Sequence, residues 1–103
     1  LNFTEFMEYM DNHLQSRETF VVNATEYQNV KNRRRAPAKR WKEEKIQRAV
    51  NNMWTDLLKT IYSRIKPLVK ASSSEPKKEW INYIEANEIL DSLDESIYEI
   101  EFE

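Results

Sequence analysis

Residues 38–66, AKRWKEEKIQRAVNNMWTDLLKTIYSRIK, carry the longest regular pattern in the chain. Within them Ile46, Val50, Met53, Trp54, Leu57, Leu58, Ile61 and Ile65 follow one another mostly in steps of three and four. Such spacing puts them on one stripe of an amphipathic α-helix. Pro37 suits the first turn of that helix, and Pro67 makes its continuation costly. Ala36, which precedes a proline, is biased away from helical geometry, so a boundary is expected there. The pattern predicts a helix over about 38–66. At about 1.5 Å per residue it would be ~44 Å long. A compact chain of about 100 residues has a radius of gyration near ~13 Å. The helix should therefore overhang its own domain or kink. Apolar surface left bare by an overhang argues for a homodimer.

Working toward the N-terminus, Asn23 and Glu26 have cap spacing, and a short helix through Tyr27 and Val30 follows from it. The four residues Thr19-Phe20-Val21-Val22 are β-branched or aromatic and read as a short strand over 19–23. Further back, Phe3, Phe6, Met7, Met10 and Leu14 recur at helical spacing. Asn2 and Glu5 stand as cap and third helical residue of a capping box, which predicts a helix over 3–15.

Toward the C-terminus, residues 71–74 (ASSS) read as a linker. Pro76 then opens a third helix over 76–93, with Trp80, Ile81, Ile84, Ile89, Leu90 and Leu93 as candidate core and a stop at Asp94-Glu95-Ser96. In the last segment Tyr98, Ile100 and Phe102 alternate with Glu99, Glu101 and Glu103. Alternation is the mark of a half-buried strand, and 97–102 is expected to pair with 19–23. Leu93, Ile97 and Ile100 also fit helical spacing. The expected fold is thus α+β and mostly helical, one small domain with a little antiparallel sheet, and an all-α bundle is its rival.

Composition narrows the chemistry. The chain has no glycine, which argues against phosphate-cradling loops and many-hairpin β folds. It has no cysteine, which removes disulfide frameworks, thiol nucleophiles and cysteine zinc sites, and makes a cytoplasmic location the simpler reading. No run approaches the ~18 apolar residues of a membrane span, and residues 1–5 do not read as a signal peptide. His13 is the sole histidine and has too few neighbouring ligands for a metal site. No catalytic triad or cofactor fingerprint is present. The expectation is a protein that is not an enzyme and takes no cofactor or metal.

Charge is the sharper signal. Net charge is −2, yet residues 31–70 hold 13 basic and 3 acidic side chains, while residues 84–103 hold 8 acidic and no basic ones. Lys31, Arg33, Arg34, Arg35, Lys39, Arg40, Lys42, Lys45 and Arg48 fall within 18 residues. Such clusters neutralise nucleic-acid phosphates and release counterions, and Arg also forks onto phosphate oxygens. On a helical wheel Trp41 projects to the same side as Lys45 and Arg48, where it could stack on a base or anchor a protein. The expected function is a small binding or regulatory protein that contacts DNA or RNA phosphates through 31–48. The alternative is a protein-binding adaptor or inhibitor that uses Trp41 and the acidic C-terminal segment. The basic segment could also be a solvated helix face, or be covered by the acidic tail.

Overall fold

The computed structural model describes residues 1–69 and 74–102. The described residues form five α-helices: α1 (Phe3–His13), α2 (Arg17–Arg33), α3 (Glu43–Ile65), α4 (Pro76–Ala86) and α5 (Ile89–Tyr98). Short 3-10 turns occupy Pro37–Lys39 and Lys66–Leu68. There is no strand among the described residues. The fold is all-helical, which overturns the α+β expectation and its sheet. The expected linker at 71–74 lies, apart from Ser74, outside the described residues.

Helix α1 starts as its capping box demands. The Asn2 side chain accepts the Glu5 N–H at 2.8 Å, and Glu5 accepts the Asn2 N–H at 3.1 Å. Two orphan donors of the first turn are thereby satisfied. The helix stops at His13, and a three-residue turn leads into α2.

Residues 19–23 lie inside α2. Their β-rich composition loses to tertiary packing, because Ser16, Phe20, Ala24 and Gln28 are buried at steps of four. Phe20 packs on Trp54 of α3 at a centroid distance of 5.1 Å. A strand would put Val22 on the same face as Phe20 and Ala24, yet Val22 is 61% exposed. The short helix expected from Asn23 is simply the interior of α2.

Helix α3 begins at Glu43 rather than at Ala38. Residues 34–42 form the connection, so the central helix has 23 residues instead of 29. Its stripe of Ile46, Val50, Trp54, Leu58 and Ile65 is buried within this chain, against α2 and α1. Met53, Leu57 and Ile61 of the same stripe are half-buried, so most of the stripe is covered within this chain. Each buried side chain contributes roughly 1.5–3 kcal/mol relative to exposure.

The single helix expected over 76–93 is two helices, parted at Asn87-Glu88. Glu88 has φ 50°, in the left-handed region. In a chain without glycine this turn falls to a residue with a Cβ, at a steric cost of roughly 1–2 kcal/mol. Asp94, expected to stop the helix, sits inside α5, which runs on to Tyr98. Ile97 is buried and Leu93 half-buried, so the helical spacing prevails over the alternation of 97–102. Of the alternating glutamates, Glu99 and Glu101 are exposed. Phe102 nonetheless turns inward and meets Phe20 at 5.4 Å and Tyr27 at 5.9 Å.

Pairwise contacts set the arrangement. Phe6 meets Tyr62 and Trp80, and Tyr62 stacks on Trp80 at 5.0 Å. Asp94 binds Ser16, and Phe102 reaches Phe20 and Tyr27. The chain thus runs up through α1 and α2, down through α3, and up again through α4 and α5. The third limb ends beside Tyr27. Beyond it α2 and α3 continue as a two-helix hairpin closed by residues 34–42. The molecule measures 56 × 22 × 20 Å, with a Cα radius of gyration of 16.4 Å, against ~13 Å for a compact chain of this length. The overhang is real, and its two helices cover each other.

Candidate nucleic-acid interface

The basic segment occupies the closed end of that hairpin. Helix ends explain part of its composition. Lys31 and Arg33 lie in the last turn of α2, where cations face the negative end of the helix dipole. Glu43 and Glu44 occupy the first turn of α3, where carboxylates face the positive end. Those two glutamates also repel anions from the α3 N-terminus, so any phosphate must be held by side chains.

The connection is built around Asn32. Its side-chain amide donates to the Trp41 carbonyl at 2.9 Å, and its oxygen accepts the Trp41 N–H at 2.8 Å. One side chain thus pins both backbone polar groups of Trp41. Arg35 donates to the same Asn32 oxygen at 3.0 Å. Arg40 donates to the carbonyls of Arg35 and Arg33, both at 3.2 Å. Residues 33–40 are thereby closed into a compact loop in which two of the expected phosphate contacts are engaged, Arg40 with the backbone and Arg35 with the Asn32 side chain.

Trp41 is half-buried and precedes the helix instead of projecting from it. The Arg35 guanidinium lies 3.9 Å from its ring centroid and the Lys45 ammonium 4.7 Å. Cations over an indole face gain from its quadrupole. The ring therefore serves as a platform that orients Arg35 and Lys45.

The other cations stand differently. Lys31 lies over the Tyr27 ring at 5.3 Å. Arg33 pairs with Glu26 at 3.7 Å, with both side chains mostly exposed. Arg34, Lys39, Lys42 and Arg48 are exposed and form no ion pair among the described residues. Likewise no ion pair among the described residues joins the basic segment to residues 84–102. Cations oriented by Asn32 and Trp41 thus share one end with cations open to solvent. The signal for the loop-closing role of Asn32 was its spacing of nine residues from Trp41, which no local rule reads.

Elsewhere the polar groups are engaged structurally. His13 stacks on Tyr9 at 4.1 Å, and its Nδ1 lies 2.8 Å from the Tyr9 carbonyl. Burial, and then the nearby Glu85, push the Tyr9 phenol up from its ordinary value. Asp11 accepts the Trp54 indole N–H at 2.8 Å. No group of three or more metal-ligating side chains occurs among the described residues. No described helix is long and apolar enough to cross a membrane. Comparison with known proteins finds no matching family model, no similar curated protein and no similar solved structure.

Proposed function

We propose that this chain is a small non-enzymatic binding protein that docks on nucleic-acid phosphates through residues 31–48. One observation carries the reading: nine basic side chains gather at the protruding end of an elongated bundle, and among the described residues only Arg33 of the nine has an ion pair. Arg34, Lys39, Lys42 and Arg48 take the phosphates. Arg35, held by Asn32 and Trp41, Lys45, held by Trp41, and Arg40, held by the Arg33 and Arg35 carbonyls, add charge. An adaptor reading with Trp41 as anchor has less to draw on, because two cations already lie over that ring. A chain without cysteine is at home in the cytoplasm, where nucleic acid is met.

The test is binding to a duplex at graded salt. Affinity should fall with a log–log slope of about −0.9 per phosphate contact. Replacing Arg34, Lys39, Lys42 and Arg48 one at a time with Ala should weaken binding across sequences and reduce the slope by about 1 each. These positions make no loop-closing bond, so the fold should persist, as circular dichroism would verify. Absence of binding to duplex or single strand at low salt ends the proposal.

A further inference from the structure

Between α2 and the terminal segment runs a groove lined by Asn23, Tyr27, Val30, Lys31, Arg34 and Phe102, with Glu26 at its edge. Tyr27 and Phe102 are both half-buried, and their rings lie 5.9 Å apart at an angle of 41°. They present aromatic surface to the groove. Lys31, one turn beyond Tyr27 on α2, and Arg34, just past the end of α2, supply two exposed cations at its rim. Glu26 already pairs with Arg33, and Glu101 points to solvent beside Phe102, so the positive side of the groove is the α2 side. The groove opens next to the basic end of the hairpin.

Aromatic faces beside a line of cations are what an unpaired nucleic-acid strand requires: bases stack while phosphates are neutralised. A base inside a duplex cannot reach such a groove without being unstacked. We infer that this groove takes an unpaired base of a single strand, stacked against Phe102, with the adjoining phosphates on Arg34 and on Lys31, which lies over the Tyr27 ring. Asn23 offers an amide donor and acceptor to the base edge. The inference rests on the proposed phosphate-binding role of the hairpin end and makes it selective for single strands.

The experiment compares three probes at one salt concentration: an oligodeoxythymidylate, an abasic strand of the same length, and a duplex. The thymidylate should bind the unaltered protein at least roughly fivefold more tightly than the abasic strand, the lower range of stacking on one aromatic side chain. It should also bind more tightly than the duplex. Phe102→Leu keeps apolar contact with Phe20 and should abolish the preference for bases, leaving the abasic affinity unchanged. Equal affinity for thymidylate and abasic strands, or tighter binding of the duplex, overturns the stacking groove and leaves phosphate docking standing. Failure of all three probes to bind overturns both.

Discussion

Asp94 shows how much of this fold rests on single polar side chains. Its carboxylate accepts the backbone N–H groups of Gln15, at 3.0 Å, and Ser16, at 2.9 Å, together with the Ser16 hydroxyl. Ser16 precedes α2 and is fully buried. Its hydroxyl points at Asp94 and does not cap its own helix, so α5 supplies the anion at the start of α2 where the dipole favours one. Asp94→Ala would leave these donors without an acceptor. A loss of roughly 1–3 kcal/mol is expected, read as a lower denaturant midpoint at an unchanged slope. Asp94→Asn retains one carbonyl oxygen and should lose less. An unaltered midpoint for the alanine variant would mean that the clasp contributes nothing.

At the scale of elements, α2 offers the cleanest check on helix against strand. Val22 lies within the β-branched run and is 61% exposed, so packing does not decide its effect. In a helix Val22→Ala should stabilise by up to about 0.7 kcal/mol through backbone propensity; in a strand the same change should destabilise. A raised thermal midpoint is expected, and a lowered one would contradict the helix. The reason α2 was illegible lies in what it buries. Its inward positions, with the preceding Ser16, include Ala24 and Gln28, so steps of four are present but do not appear as an apolar stripe. Residues 19–22 taken alone then look like a strand. Helix α1 was readable because Asn2 and Glu5 act over three residues. The start of α3 was misplaced by five residues because Asn32, outside the local pattern, holds Trp41 in an extended connection. The break at Glu88 had no glycine to announce it. For the interface, the position of the cations was legible as a run of charge. The division between Arg35 and Arg40, which close the loop, and Arg34 and Lys39, which face solvent, depends on contacts across that loop.

The whole molecule is a rod, and solution scattering should see it. A monomer with a radius of gyration close to 16 Å is expected, because α1 and α2 already bury most of the α3 stripe. A value near ~13 Å, typical of a compact chain of this length, would contradict the protruding hairpin, and sedimentation as a dimer at micromolar concentration would contradict the covered stripe. The overhang also changes what the modest net charge means. Residues 31–48 carry nine basic and two acidic side chains, a balance of +7, and the remainder carries seven and sixteen, a balance of −9. The total of −2 is therefore the sum of two unlike poles on a body 56 Å long. In the field of a polyanion such a body feels a torque that turns its positive pole inward and, once turned, a pull on the nearer pole that outweighs the push on the farther one. Near a polyanion it would rotate positive pole first before any contact forms, over a range of about 8 Å at physiological salt and ~30 Å at 0.01 M. Encounter would thus be selected by orientation, and added salt would slow association by removing the turning moment.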